Sequence, residues 1–410
     1  MQGLRQRVEN ELQSNILPFW LKYAIDDQYG GFRGQIANDL TIDPLANKGL
    51  ILNARILWTF SKAFTVYGDE IYRDTARRAY EYISRYFLDA QYGGVYWMLD
   101  YQGHPAETKK RIYGQAFTVY SLAEYYLATR QVDALATARQ IYESIEIASY
   151  DRKHGGYFET YERDWTLAGQ QRLSAVDMDE KKSMNTHLHV LEAYATLLNA
   201  WDDEQLRGRL RELIRLFLDH IIDRKTHHFI MFFDEDWTAK SDHISYGHDI
   251  EGSWLLCEAA ETLGDAELLS EVQDEAVKMA QAVYEEAIDT DGGLLYEANR
   301  TGMIDTDKHW WPQAEAVVGF LNAYELSGRE HFRMAAERTW EFVDQYIIDH
   351  QHGEWFWKVS RERVPSQNQF KVDPWKCPYH NSRMCFEVMA RLDSAESGGQ
   401  HRVKEAGSTK

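Results

Sequence analysis

Three histidines in this chain stand where an imidazole could move protons. His189 follows Asn185 by four residues and His248 precedes Glu251 by three, so each pair shares a face if its segment is helical. His380 lies further on, in KCPYHNSR. Imidazole titrates near neutrality, and a carboxylate beside it fixes its tautomer and raises its basicity, which suits general acid–base work. A lone histidine is more often a hydrogen-bonded core residue. Three at matching places in a repeat point to chemistry. His187, two residues from His189, faces elsewhere on a helix and reads as structural.

Two other chemistries compete for these residues. His248 and Glu251, joined by two further histidines, could hold a metal, but the chain has no HExxH, no paired cysteines and no aspartate cluster on one segment, and the favoured reading has no metal. Glu251 and Glu315 could instead serve an inverting glycoside hydrolase, which needs carboxyl groups about 6.5–9.5 Å apart; three histidines exceed what that reaction uses. Arg55, in the apolar stretch ILNARILWTF, must either pair a core carboxylate or meet ligand oxygens, since an unpaired guanidinium is expensive to bury. Trp311 and Trp375 lie in polar segments that start helices, which favours stacking on a ligand over burial, and Tyr113 also begins a helix.

These residues are spread over most of the chain, so something must gather them. At Gly30, Gly93, Gly155, His227, Gly292 and Gly353 a short turn-like pair leads into apolar and aromatic residues, at nearly even intervals with one stretched after Gly155. Helical periodicity between these points predicts helices over 4–24, 50–67, 71–88, 112–129, 132–147, 185–201, 204–222, 249–263, 266–286, 310–326, 331–347 and 379–392, two per repeat, with short hairpin arms between pairs. Six pairs without a polar cap favour closure over open stacking. The expected fold is all-α, an (α/α)6 barrel of six inner and six outer helices over residues 1–392, with 393–410 as a disordered tail. Each long arm ends where an inner helix begins, so closure brings Arg55, Tyr113, Asn185, His189, His248, Glu251, Trp311, Glu315 and His380 to one mouth. The polar arm from Tyr161 to Lys182 reads as a solvated loop and a candidate lid.

Of the 410 residues, 44% are apolar and 13% aromatic, ample for a large core and suggestive of rings that pack on sugar faces. The net charge of −20 argues against nucleic acid and anionic membranes as partners. The charged start MQGLRQRVENEL reads as neither signal peptide nor membrane span. Three unspaced cysteines, Cys257, Cys377 and Cys385, argue against a disulfide framework, and the expected location is the cytoplasm.

The stretches ILNARILWTF, GGVYWM, MNTHLHVLEAYA, SYGHDIEGSWLL, DTDKHWWPQAEAVVGFLNAY and KVDPWKCPYHNSR closely resemble, in order, the cellobiose 2-epimerases of the N-acylglucosamine 2-epimerase superfamily, over about Glu11 to Leu392. The resemblance implies an (α/α)6 barrel and cofactor-free conversion of the reducing-end glucose of a β-1,4-linked disaccharide to mannose. It implies that His189 and His380 are the acid–base groups flanking C2, and that His248, supported by Glu251, assists ring opening. Arg55, Tyr113 and Asn185 would hold sugar oxygens and Trp311 and Trp375 would stack on the sugar. Trp254 and Glu315 match further positions on which activity depends. The partner expected is thus a small disaccharide, and the chain is expected to be a monomer or weak homo-oligomer.

Overall fold

At six places the chain leaves an outer helix through the same short turn. The last residue before the turn pairs with the first after it, as Ile25 with Phe32, Leu88 with Val95, Tyr150 with Tyr157, Ile222 with Phe229, Ile288 with Leu294 and Ile348 with Trp355. An aspartate opens each turn; Asp26, Asp89, Asp151 and Asp349 each accept backbone N–H groups two and three residues on. In five units a buried lysine neutralises that aspartate: Lys48 with Asp26, Lys110 with Asp89, Lys182 with Asp151, Lys308 with Asp289 and Lys371 with Asp349. The fourth unit has Ile244 where the register calls for lysine; the buried His228 ring there pairs with Asp249 at 2.8 Å and not with the turn aspartate Asp223. The turn needs left-handed backbone, hence glycine: Gly156 has φ +75°, and a Cβ there would stand 2.6 Å from His187 Nε2.

The computed structural model describes residues 1–406, with side chains at all of these except Gln2 and 395–406. Among the described residues there are twelve helices: α1 (Gln2–Glu11, prolonged by π-helical and α-helical turns to Ala24), α2 (Leu50–Tyr67), α3 (Glu70–Tyr82), α4 (Ile112–Thr129), α5 (Val132–Ala148), α6 (Met184–Ala200), α7 (Glu204–Leu216), α8 (Tyr246–Leu263), α9 (Ala266–Ala287), α10 (Trp310–Ser327), α11 (Glu330–Phe342) and α12 (Tyr379–Ala406). The even-numbered helices are buried nearly all round in their first turns, and each packs on the next in the order α2, α4, α6, α8, α10, α12 and back to α2, which closes the inner ring. The odd-numbered helices lie outside. Asp203 and Asp265 cap α7 and α9, and Gly68, Gly264 and Gly328 end α2, α8 and α10 in left-handed conformation. The chain is an (α/α)6 barrel.

Most boundaries lie within a residue or two of the sequence reading. Two differ more. Helix α8 begins at Tyr246 rather than 249, which puts His248 inside its first turn. Helix α12 continues past Leu392 to Ala406, with Arg5 holding Asp393 across to α1 (Nη2–Oδ2 3.0 Å); residues 407–410 of the expected tail lie outside the described residues.

Short strands just before the inner helices lace the units together. Lys48–Gly49 pairs with Met98–Leu99, Lys110–Arg111 with Thr160–Tyr161, Lys182–Ser183 with Phe232–Phe233, Ile244–Ser245 with Glu297–Asn299, and Lys308–His309 with Lys358–Val359. Ile36–Ala37 pairs with Phe370–Val372 and joins the first unit to the last. The fourth residue of each of four inner helices then grips the incoming turn: Gln115, His187, Asp249 and Gln313 accept the N–H of Val95, Tyr157, Phe229 and Leu294 at 2.7–2.9 Å. His187 is therefore structural, as its spacing from His189 predicts; burial pushes its pKa down to about 3. No helix among the described residues is long and apolar enough to cross a membrane.

Candidate active site

The starts of the inner helices surround a cavity of about 420 Å³. A clamp residue that reaches outward leaves the residue two positions on pointing to the barrel axis, because i and i+2 lie on nearly opposite faces of a helix. Two beyond Asn53, Gln115, His187, Asp249, Gln313 and Asn381 come Arg55, Phe117, His189, Glu251, Glu315 and Arg383, one from each unit, all buried. This layer forms the floor of the site. Around and above it the cavity wall includes Tyr113, Asn185, His248, Trp311, Trp375 and His380.

His189 Nδ1 lies 3.0 Å from Glu192 Oε2, and its ring packs on Tyr113 and Phe117. His380 Nδ1 lies 2.6 Å from Glu315 Oε1. An Nδ1 facing a carboxylate carries the hydrogen, which leaves Nε2 as the reactive nitrogen of each ring. His248 Nδ1 meets Ser245 Oγ at 2.7 Å, and its ring lies 4.7 Å from that of Trp311. Burial pushes the His248 pKa down to about 3, and burial together with the Arg55 and Arg383 charges pushes His380 well below the usual imidazole value. Both shifts favour the neutral ring in the free enzyme.

Arg55 is 4% exposed, and among the described residues no carboxylate pairs with it. Its Nη2 donates to Tyr113 Oη at 3.0 Å, and its guanidinium lies over the rings of Phe117 and Tyr379 at 4.3 and 4.9 Å. Arg55 Nε and Asn185 Oδ1 are buried without a hydrogen-bond partner among the described residues. A fixed cation and an open amide oxygen beside the imidazoles can hold oxygens of a polar ligand, including one that gains negative charge. Trp375 stands edge-on to Tyr113 and Trp97.

Nine of the eleven site residues expected from sequence line this cavity: Arg55, Tyr113, Asn185, His189, His248, Glu251, Trp311, Trp375 and His380. Trp254 and Glu315 do not. Trp254 lies behind the floor, where its Nε1 donates to Glu315 Oε2 at 3.0 Å, and Glu315 in turn carries His380. The expected pairing of Glu251 with His248 is replaced by another: Glu251 points to the axis and accepts from Arg383 Nη2 at 2.5 Å, because the helix turn carries His248 towards Trp311 instead. Glu251, Glu315 and His380 offer ligand atoms within 4.8 Å of one another, a geometry a metal could use, yet Arg383 Nη2 already donates to both carboxylates. The same closeness makes that carboxyl pair too close for an inverting hydrolase, which needs about 6.5–9.5 Å.

Sequence reasoning missed Glu192, Tyr379, Arg383 and Ser245. Arg383 donates to Glu192, Glu251 and Glu315, and Tyr379 donates to Glu192. Burial raises the Glu192 pKa, but Arg383 and the His189 and Tyr379 hydrogen bonds outweigh it and hold it at about 2; Glu251 is pushed up to about 7 by burial and by Glu315. The signal for Arg383 was available in the repeat, as the sixth member of the layer that holds Arg55 and His189. Arg172, Leu173, Ser174, Val176, Asp177 and Met178 of the polar arm also line the cavity, held by Arg111 Nη1, which donates to Arg172 O at 2.8 Å.

Residues 30–381 match the family model of N-acylglucosamine 2-epimerase (GlcNAc 2-epimerase). The chain is 44% identical over 387 residues to the cellobiose 2-epimerase of Bacteroides fragilis, covering 94% of this chain and 98% of that one. It is 40% identical over 390 residues to the cellobiose 2-epimerase of Dictyoglomus turgidum, covering 95% and 99%. The solved structure of the cellobiose 2-epimerase from Bacillus thermoamylovorans B4167 superposes with a TM-score of 0.91 at 41% identity, over 95% of this chain and all of that one (100%). With matches of this length and identity, the chain is a carbohydrate epimerase and belongs to the N-acylglucosamine 2-epimerase family.

Proposed function

We propose that this enzyme interconverts glucose and mannose configurations at C2 of the reducing-end residue of β-1,4-linked disaccharides such as cellobiose and lactose, without a cofactor. Supporting the substrate is the identity with cellobiose 2-epimerases over nearly the whole chain. The observation that carries the mechanism is the convergence of His189, His248 and His380, from three different units, on one cavity that also holds an Arg55 without a carboxylate partner. C2 of a closed pyranose is not acidic. Opening the ring exposes an aldehyde at C1, so the C2 proton becomes removable and the charge spreads into a cis-enediolate. Arg55 and Tyr113 stabilise that oxyanion. His248, neutral and oriented by Ser245, assists opening and closing of the ring. His189 and His380 exchange the C2 proton on opposite faces, with rotation about C2–C3 giving access to both. Trp311 and Trp375 offer ring faces to the sugar. The three cysteines are free and buried, in keeping with a cytoplasmic enzyme.

Turnover in heavy water tests the route: deuterium is expected at C2 of the product, and a product without it would exclude solvent-exchanging proton transfer. Assaying cellobiose, lactose and free mannose side by side by chromatography tests the substrate. Turnover confined to the free monosaccharide would replace the disaccharide reading.

A further inference from the structure

Glu192 breaks the pattern of its own layer. One turn beyond the site floor the inner helices present Trp58, Tyr120, Glu192, Trp254, Val318 and Phe386, and all but Glu192 are aromatic or aliphatic. All six are buried. A carboxylate taken into such surroundings costs several kcal/mol unless it is paired and hydrogen-bonded, and an apolar residue would complete the layer without that cost. Stability therefore does not explain Glu192. Its contacts do, because it accepts from Tyr379, from Arg383 Nη1 and from the His189 ring.

We infer that Glu192 and Arg383 are positioning residues for the proton transfer at C2. Glu192 holds His189 with Nδ1–H inward and Nε2 towards the cavity. Arg383 ties that carboxylate to Glu315, which holds His380 in the same way, so the two bases are set as a matched pair by one guanidinium. This inference rests on the two-base reading above. In the step, the Nε2 lone pair of one histidine takes the C2 proton. The C2–H electron pair becomes the C1–C2 double bond, and the carbonyl π pair moves onto O1. The other histidine, which enters the step as the imidazolium, returns its Nε2 proton to the opposite face and reverses that flow. The Nδ1 hydrogens stay in place, and the carboxylates stabilise whichever ring is imidazolium.

A residue that orients one base only must act on one epimer only. The test follows loss of C2 hydrogen to heavy water by NMR, starting separately from the glucose-ended and the mannose-ended disaccharide. With Glu192→Gln, exchange from one epimer is expected to fall about 100-fold while exchange from the other stays within about 3-fold, with KM little changed and interconversion slowed about 100-fold. Glu315→Gln is expected to reverse the asymmetry, and Arg383→Lys, which keeps the charge without the fork, to slow both epimers about 10-fold or more. Should Glu192→Gln fail to fold, Glu192→Asp withdraws the carboxylate while keeping its charge and is expected to show the same asymmetry. Equal slowing of both epimers by a folded Glu192 variant, or no slowing, overturns the positioning role alone. A wild-type enzyme that interconverts the epimers without exchanging C2 hydrogen removes the two-base reading and this inference with it.

Discussion

At the residue level the site is a problem in placing charge where water is excluded. Three carboxylates share one guanidinium at the floor, and two of them, Glu192 and Glu315, each meet Nδ1 of an imidazole. Replacing His189 or His380 by alanine is expected to cut epimerisation by about 1,000-fold or more, with the far-UV circular dichroism spectrum unchanged; full activity in either variant would remove that histidine from the scheme. Trp254 reaches the chemistry from behind the floor, donating to Glu315 and packing its ring against the Arg383 guanidinium at 4.8 Å. Trp254→Phe keeps most of the packing and deletes one hydrogen bond, so kcat is expected to fall about 10-fold while KM moves less than about 3-fold. A large rise in KM would mean that Trp254 meets the sugar directly. Exhaustive chelation is expected to leave the rate unchanged, since Arg383 supplies the positive charge beside Glu251 and Glu315; activity lost and restored by a divalent ion would point to a metal there instead.

At the level of the elements, each inner helix is set in depth by the clamp on the turn beside it. Gln115 is the fullest example: its Oε1 accepts from Val95 N and its Nε2 donates to Val95 O, both at 2.9 Å. Gln115→Ala would leave a buried N–H and a buried C=O without partners, an expected loss of about 2–4 kcal/mol in denaturant unfolding. Gln115→Glu keeps only the acceptor half and should cost less at low pH than at neutral pH. These clamps explain why the Gly-Gly signal was visible in the sequence: close approach of side chains such as His187 leaves no room for a Cβ. The buried lysine–aspartate ties that accompany it were not legible. Lys48 and Asp26 are far enough apart along the chain that no helical or strand periodicity connects them, and only the antiparallel return of the turn brings them to 2.7 Å.

For the whole molecule, the fourth unit departs from the other five, and it is the unit that carries His248. Burial works against the His228 imidazolium, yet Asp249 and Glu286 outweigh it and raise its pKa to about 9. A histidine with a folded value above its unfolded value of about 6.5 contributes stability that is complete below that pH and is lost as pH rises through about 9. Thermal melts of wild type and His228→Gln are therefore expected to differ by about 2 kcal/mol at pH 6 and to converge by pH 9.5. A constant difference across that range would show that His228 acts by packing alone.

The repeat, the twelve helices and the family were readable from local information, because glycine turns and 3.6-residue periodicity are properties of short segments. The same periodicity read Asn185 with His189 correctly as neighbours at a helix start. It misled at Glu251: a spacing of three residues says that two side chains share a face but not which third group lies opposite them, and Arg383 from another unit claimed the carboxylate. Contacts such as Arg383 with Glu192, or His380 with Glu315, join residues on different inner helices. Which ring nitrogen meets which carboxylate depends on the closure of six helices about one axis, a long-range packing outcome that no stretch of sequence carries by itself.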